Sequence, residues 1–232
     1  MENIFAQPGK PMPHGATIVN DGVNFSVFTR NGTSVILDIF QNPEDETPCF
    51  SYTFDPKINR TGDIWHVFLK GLKAGALYLY RVDGPFNPEK GHRFNKNTYL
   101  LDPYAKSFTD CSVFANLPPD YVTPVDKIDI LTGKPHSAKG FPKCVVIDDD
   151  EFDWQGDRPI NYPLRQSVLY ETHLKGFTAD PSSGVKNPGT YKGLIEKIPY
   201  LKELGVTSVE FLPIQEFDEY ELAQNLEHRC GM

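Results

Sequence analysis

Cysteine is scarce in this sequence, and long apolar runs are missing. The four cysteines, Cys49, Cys111, Cys144 and Cys230, lie far apart and form no CxxC pair, so we predict neither a disulfide framework nor cysteine-bound metal. Residues 1–13 have no apolar run typical of a signal peptide. No stretch approaches the roughly 20 apolar residues that cross a bilayer. These absences predict a cytoplasmic protein with free thiols and no membrane partner.

Surplus positive charge and the motifs of nucleotide chemistry are missing as well. Acidic residues outnumber basic ones by 31 to 23, for a formal net charge of −8, whereas a nucleic-acid surface needs clustered Lys and Arg. There is no GxGxxG or P-loop sequence and no legible Ser-His-Asp or Cys-His arrangement. The acidic run Asp148–Glu151 is interpreted as a solvated loop, with a cation site as the alternative. We therefore predict no nucleic-acid partner, no cofactor and no metal.

Residues 1–105 have the pattern of short antiparallel strands. Gly22–Phe28 alternates between an apolar and a more polar face. Asn31-Gly32 and the β-rich run Val35–Phe40 follow, which predicts a hairpin because Asn-Gly tolerates positive φ. Further strands are predicted at Phe50–Phe54, Ile64–Leu69 and Ala76–Val82. Strands at this regular spacing predict an all-β sandwich.

Residues 106–166 lose this regularity. Prolines are spread along the segment, at Pro118, Pro119, Pro124, Pro135, Pro142, Pro159 and Pro163. One apolar strand, Cys144–Ile147, interrupts it. The segment is predicted to be an irregular connector on the surface of its neighbours.

Residues 167–232 change to the pattern of a β-α-β unit. Ser167–Leu174 is a largely apolar strand, typical of parallel strands buried on both faces. Thr190 is predicted as the N-cap of a helix, and Pro199 predicts a kink or break within it. The apolar stripe of this helix consists of Leu194, Ile195, Ile198, Leu201 and Leu204. Gly205 fits the helix end, and Val206–Ile214 is the second strand.

These elements predict the opening of a β/α (TIM) barrel. A closed barrel takes eight strands and about 250 residues, so we expect a barrel that is incomplete after its second strand. The polar tail Glu219–Met232 matches no element. The predicted fold is multi-domain: a β-sandwich at 1–105, a connector at 106–166 and the first βαβ unit at 167–232.

Candidate catalytic groups lie on the two predicted barrel strands. Glu171 and His173 are two residues apart, so both side chains are expected on one face of the first strand. Glu210 lies on the second strand. We assign Tyr170, Glu171, His173 and Glu210 to the barrel interior with a structural role; a general-acid role for either Glu is the alternative.

Three aromatic residues of the predicted sandwich are candidates for sugar binding. Sugar rings stack on flat aromatic faces, and Trp65, Tyr78 and Tyr80 lie on adjacent predicted strands, which would let them share a surface. The alternative is that they belong to the core, as aromatic residues at alternating strand positions usually do.

Several motifs together resemble the N-terminal module of bacterial glycogen-debranching enzymes and isoamylases. In the first part of the chain they are Gly22–Phe28, Tyr80–Pro85, Gly91–Asn95 and Leu101–Ala105. In the last part, Leu169–Thr178, Pro188–Tyr191, Tyr200–Thr207 and Val209–Ile214 are similar to the first two strands and first helix of the barrel of these enzymes. The motifs follow one another in the family's order.

The resemblance implies the α-amylase superfamily, whose debranching members are retaining hydrolases of α-1,6 branch linkages in glycogen or amylopectin. It implies an immunoglobulin-like, starch-binding-type sandwich before a catalytic barrel, with α-glucan as the partner. The family's catalytic Asp, Glu and Asp lie on later barrel strands, for which this sequence has no matching positions, so no catalytic residue is assigned. We expect an N-terminal fragment of a debranching α-1,6-glucosidase that is inactive alone. A stand-alone glucan-binding module and an interaction protein remain the alternatives.

Overall fold

The structure, a computed structural model, describes residues 4–109, 138 and 141–214. These residues divide into two compact units at Phe152 and Asp153. The first unit is all-β, and the second contains two strands and three short helices. The predicted tail Glu219–Met232 and the prolines between 110 and 137 lie outside the described residues.

The first unit is a sandwich of two antiparallel sheets, as the strand pattern predicts. Its strands are β1 (Phe5–Pro8), β2 (Gly15–Val19), β3 (Gly22–Phe28), β4 (Ser34–Phe40), β5 (Phe50–Thr53), β6 (Arg60–Thr61), β7 (Ile64–Lys70), β8 (Leu77–Asp83), β9 (Phe86–Asn87), β10 (His92–Arg93) and β11 (Cys144–Val145). The five-stranded sheet has the order β1-β7-β3-β2, with β6 paired to β7, and the four-stranded sheet has the order β11-β8-β4-β5. The short strands β9 and β10 form a separate two-stranded ribbon.

The core lies between the facing sides of the two sheets. Alternating residues of β3, β4, β7 and β8 supply it, because alternation sends every second side chain to the same face. Its fully buried members include Val23, Phe25, Val35, Leu37, Ile39, Trp65, Val67 and Leu69. Phe25 meets Tyr78 edge to face, with ring centroids 5.0 Å apart, which joins β3 of one sheet to β8 of the other.

The hairpin predicted at Asn31-Gly32 is wrong, because β3 and β4 belong to different sheets. Neither Asn31 nor Gly32 has a positive φ, so the connection lacks the geometry of a two-residue hairpin turn. The Thr29 hydroxyl instead accepts a hydrogen bond from the Gly32 N–H at 3.1 Å. The chain therefore crosses here from one sheet to the other.

A segment before β2 covers the outer face of β3, which the sequence analysis did not predict. The Asn24 side-chain amide accepts a hydrogen bond from the Lys10 N–H at 2.7 Å and donates one to the Lys10 carbonyl at 3.0 Å. The Ser26 hydroxyl donates to the Pro11 carbonyl at 2.7 Å. Gly9 packs against the backbone of Val67 so closely that an added Cβ would lie 2.6 Å from its carbonyl carbon. Both faces of β3 are therefore buried.

Residues of the predicted connector contribute the edge strand β11. Cys144 and Val145 pair antiparallel with Tyr78 and Leu77 of β8, so the second sheet extends beyond the predicted boundary at residue 105. The neighbouring Lys143 is fully buried, and its ammonium donates to backbone carbonyls, including that of Ala138 at 3.1 Å.

The second unit contains a parallel strand pair connected through helices, as the pattern predicts. Strands β12 (Leu169–Thr172) and β13 (Ser208–Phe211) pair in parallel. Helix α1 (Leu174–Ala179) follows β12, and α2 (Tyr191–Glu196) and α3 (Ile198–Glu203) precede β13. The predicted helix breaks at Lys197, two residues before Pro199, which has no N–H to continue the backbone bonding.

The ends of these elements follow local chemistry. Thr190 is the N-cap of α2, and its hydroxyl accepts a hydrogen bond from the Gly193 N–H at 3.2 Å, which confirms the predicted cap. Gly205 after α3 has φ 84°. The predicted apolar stripe is not a buried face: Leu201 is buried, whereas Ile195, Ile198 and Leu204 are exposed. Two strands and three short helices supply too little surface to cover it.

Candidate functional site

The three aromatic residues predicted as a glucan-binding surface lie in the core of the sandwich. Trp65, Tyr78 and Tyr80 are between 0% and 1% exposed. A ring without an open face cannot stack on a sugar, so their assignment as a binding surface is corrected to the core alternative. Trp65 also has the guanidinium of Arg60 at 5.0 Å from its ring, which places a cation over the indole.

A buried polar cluster surrounds the hydroxyl of Tyr78. This hydroxyl donates to a carboxylate oxygen of Asp102 at 2.8 Å, and the other oxygen accepts from the Tyr104 N–H at 2.8 Å. The Asp102 N–H donates to Cys144 Sγ at 3.2 Å. Burial raises the pKa values of Asp102 and Tyr78, and it raises the pKa of the Cys144 thiol to about 12. The cluster fastens residues 101–105 to the sandwich and keeps Cys144 as an unreactive thiol.

The residues predicted for a barrel interior lie on β12 and β13 or directly after them. Glu171 and Glu210 are register partners on the two parallel strands, and both are exposed. Tyr170 is half-buried and meets Phe177 edge to face at 5.8 Å. His173 lies beyond the end of β12 and caps α1, where its Nδ1 accepts from the Gly176 N–H at 3.0 Å. His173 thus follows the strand, which ends at Thr172, with an extended backbone, and its imidazole is used in a helix cap.

The arrangement of Glu171 and Glu210 does not favour acid/base catalysis within the described residues. A glycoside hydrolase needs one carboxyl group that an apolar environment keeps protonated. Both carboxylates are exposed, and neither makes a hydrogen bond or ion pair within the part of the chain that the structure describes. Register partners on adjacent strands lie only about 4.8 Å apart, so two exposed carboxylates there repel each other.

A groove of about 630 Å³ opens at the end of the sandwich where the β2–β3 and β7–β8 turns lie. Its volume is within the range of small-molecule sites. We call it the turn groove. Its apolar lining includes Phe5, Ile18 and Leu72, and its polar lining consists of Asn20, Asp21, Lys70, Lys73 and Asp148. The groove therefore combines an apolar surface with side chains that donate and accept hydrogen bonds.

Backbone hydrogen bonds hold the two turns of the groove together. Asn20 has φ 52°, in the left-handed region that Asn tolerates. The Gly71 N–H donates to the Asp21 carbonyl at 2.7 Å, which joins the β2–β3 turn to the β7–β8 turn. The Val146 carbonyl accepts from the Gly75 N–H at 2.8 Å, and the Val146 N–H donates to the Ala76 carbonyl at 2.9 Å. These bonds bring the segment that contains Asp148 to the β7–β8 turn.

An ion pair crosses from one turn to the other. The Lys70 ammonium lies 2.9 Å from a carboxylate oxygen of Asp21. Its hydrogen bond lowers the pKa of Asp21 below the ordinary value, so this carboxylate is an anion and a hydrogen-bond acceptor at neutral pH. The pair is solvent-exposed, and its main effect is to orient the two side chains at the groove.

Sequence reasoning missed this groove because it missed β1 and β2. A usable signal was present: Asn20-Asp21 lies between an apolar-alternating run at Ala16–Ile18 and the strand β3, which is a hairpin pattern. Among the described residues, no group of three or more His, Cys, Asp and Glu side chains could hold a metal ion. In the same part of the chain, no helix is long and apolar enough to cross a membrane.

Comparison with protein families identifies the sandwich. Residues 13–105 match the family described as carbohydrate-binding module 48, the isoamylase N-terminal domain. The match covers β2 to β10 and residues 101–105. It confirms the resemblance of the first part of the chain to the N-terminal module of isoamylases.

Curated relatives cover both units. Isoamylase 1 of Arabidopsis thaliana, a chloroplastic protein, is 40% identical over 227 residues, which cover 95% of this chain and 27% of the relative. The glycogen debranching enzyme of Yersinia enterocolitica is 40% identical over 210 residues, which cover 89% of this chain and 30% of that enzyme. The chain thus spans little more than a quarter of the length of the relatives it matches.

Solved structures agree on the fold. The pullulanase of group B Streptococcus in complex with maltotetraose is 25% identical, with a TM-score of 0.58, covering 88% of this chain and 24% of the pullulanase. The pullulanase of Bacillus acidopullulyticus is 21% identical, with a TM-score of 0.62, and the match covers 91% of this chain and 23% of that pullulanase. The second of these similarities concerns the fold alone.

Proposed function

Since residues 13–105 match the isoamylase N-terminal domain, we propose that this chain is the N-terminal part of a glycogen-debranching α-1,6-glucosidase. In this proposal the whole enzyme hydrolyses branch linkages of glycogen or amylopectin in the cytoplasm. The sandwich holds α-glucan, and residues 167–232 open the catalytic barrel. The proposed division uses the boundaries predicted from the sequence, except that strand β11 belongs to the sandwich.

The observation that carries the proposal is the order of the two units. An all-β sandwich is followed by a parallel β-α-β unit, which is the order that the resemblance implies. The exposed apolar side chains Ile195, Ile198 and Leu204 support the barrel assignment, because barrel helices bury such residues against neighbouring elements. The in-register carboxylates of Glu171 and Glu210 would face other barrel strands, which could supply cations.

The sandwich has what an independent glucan-binding module needs. It has its own closed core, and the turn groove provides a concave surface with apolar and polar groups. This observation favours glucan binding by the chain itself, whatever the rest of the enzyme contributes. It also keeps the stand-alone binding module as the second candidate.

Glucan binding by the chain tests the first part of the proposal. We expect the purified chain to be retarded in native gels that contain glycogen and to migrate freely in gels that contain dextran, which lacks runs of α-1,4 linkages. Serum albumin in the same gels controls for sieving. Equal migration of the chain with and without glycogen would contradict glucan binding.

A chimera tests the second part. In it, this chain replaces the matching 210-residue segment of the Yersinia enterocolitica enzyme. If the chain is the N-terminal part of a debranching enzyme, the chimera releases linear oligosaccharides from glycogen, whereas the purified chain alone releases none. A chimera that unfolds cooperatively but releases no oligosaccharide would contradict the enzyme assignment and leave the binding module.

A further inference from the structure

We propose that the turn groove is the α-glucan binding site of the sandwich and that the ring of Phe5 is its stacking surface. This inference rests on the proposed function, which supplies the ligand class, and it adds the site. The geometry of the first unit supports it in three ways: the groove contains an exposed and uncovered aromatic ring, it spans the sheet, and its polar groups suit sugar hydroxyls.

Two other exposed aromatic rings of the sandwich already contact a neighbouring side chain. The exposed ring of Phe28 has the Arg30 guanidinium 6.0 Å from its centroid, and Tyr104 packs against the His14 ring at 5.0 Å. Phe86 lies on the two-residue strand β9, outside the groove. Phe5 is 57% exposed and lines the groove, and no aromatic or cationic group of the described residues covers its ring.

Parts of both broad faces of the sandwich are also covered. On the outer face of the second sheet, Asp38, Phe40 and Leu79 are no more than 1% exposed, because the chain itself covers them. On the outer face of the first sheet, the segment around Lys10 and Pro11 covers β3. Access for an extended polysaccharide is therefore better at the end of the sandwich, where the turn groove opens.

The groove has the length of an oligosaccharide site rather than of a site for one sugar. Phe5 lies on β1 and Ile18 on β2, the two edges of the sheet order β1-β7-β3-β2. Three strand spacings separate these edges, a distance of about 14 Å. A chain lying across it meets the aromatic ring at one side and the β2–β3 turn at the other.

The polar lining of the groove suits sugar hydroxyls, which both donate and accept hydrogen bonds. Asp21 and Asp148 accept, Lys73 donates, and the Asn20 amide does both. The Lys70–Asp21 pair, at 2.9 Å, holds one acceptor in place before the ligand arrives, which reduces the ordering cost of binding. The combination of one aromatic ring and several convergent polar groups is typical of small-molecule sites.

Substitution of Phe5 tests the site, with Phe28 as the matched control. Both are phenylalanines of the first sheet with similar exposure, 57% and 52%, but Phe28 lies at the opposite end of β3 from the groove. With maltoheptaose as the probe, we expect Phe5→Ala to weaken binding about tenfold, since removal of an aromatic contact costs on this order. Phe5→Tyr keeps the flat ring and should bind like the wild type, as should Phe28→Ala.

Backbone amide chemical shifts give a second measurement that no substitution can confound. On titration with maltoheptaose, the amides of Asn20, Asp21 and Gly71–Ala74 should shift, and those near Phe28 should not. Two results would overturn the site but leave the proposed function intact, provided that the wild type binds maltoheptaose. One is an unchanged affinity in Phe5→Ala, and the other is chemical-shift changes confined to other surfaces. Wild-type protein that binds neither maltoheptaose nor glycogen would overturn the site together with the glucan-binding part of the proposed function.

Discussion

The hydroxyl of Tyr78 donates a hydrogen bond to the Asp102 carboxylate at 2.8 Å, and both residues are buried. Tyr78 lies on β8, whereas Asp102 belongs to the segment that follows the β9–β10 ribbon. This bond and the Tyr104 N–H bond to the same carboxylate fix a chain segment without regular secondary structure against the sandwich. An exposed tyrosine at position 78 could stack on a sugar, but the buried Tyr78 stabilises the fold instead.

Removal of the Tyr78 hydroxyl should destabilise the sandwich. Tyr78→Phe leaves one oxygen of Asp102 without its donor in a buried site, which should lower the free energy of unfolding by about 1–3 kcal/mol. Tyr80→Phe is the matched control, since Tyr80 is equally buried but its hydroxyl has no hydrogen-bond partner among the described residues. Urea denaturation measures the free energy of unfolding of both variants. A loss for Tyr80→Phe as large as for Tyr78→Phe would contradict the role of the bond.

The buried Asp102 should give stability a measurable pH dependence. Desolvation by burial raises its pKa in the folded protein, so its contribution to stability is complete below the unfolded pKa of about 3.9 and is lost as pH rises through the folded value. The unfolding free energy of the wild type, minus that of Asp102→Asn, should therefore decrease as the pH rises above about 4. A difference that grows with pH would mean that the two hydrogen bonds stabilise the carboxylate more than burial disfavours it.

The amide of Asn24 should hold the segment before β2 on the sheet. Asn24→Ala leaves the N–H and carbonyl of Lys10 without their partner, and we expect a loss of about 1–3 kcal/mol in unfolding free energy. Amide hydrogen exchange at the Lys10 N–H should become faster, because this N–H loses its acceptor. Asn42→Ala, at an exposed turn, is the control and should change stability by no more than about 0.5 kcal/mol. Unchanged exchange at the Lys10 N–H in Asn24→Ala would show that Gly9 and Ser26 suffice to hold the segment.

The N-cap at Thr190 should govern the local stability of α2. Thr190→Ala removes the acceptor for the Gly193 N–H, which should cost about 1 kcal/mol. Amide hydrogen exchange at Gly193 and its neighbours reports this as faster exchange. Thr190→Ser keeps the hydroxyl and should restore the protection. Equal exchange in the Ala and Ser variants would exclude a capping role.

Local signals predicted many elements of both units, although they missed β1 and β2. The alternation of Gly22–Phe28 matches strand β3 residue for residue. The N-cap at Thr190 and the break before Pro199 were also predicted. These features depend on residues within a few positions along the chain: alternation sets the face of a side chain, a hydroxyl satisfies a nearby N–H, and proline lacks a donor.

The sequence by itself thus determined strands, caps and breaks, whereas the tertiary structure decided which surfaces are open. The same alternation describes a binding face and a core face, and only the pairing of β8 with β4 and its packing against Phe25 placed Tyr78 and Tyr80 inside. Similarly, Asn31-Gly32 has the sequence of a hairpin turn, but β3 and β4 pair with different partners, so no hairpin forms there. The turn groove combines residues from β1, two distant turns and the segment at Asp148, and contacts between positions so far apart in sequence form only when the sheets assemble.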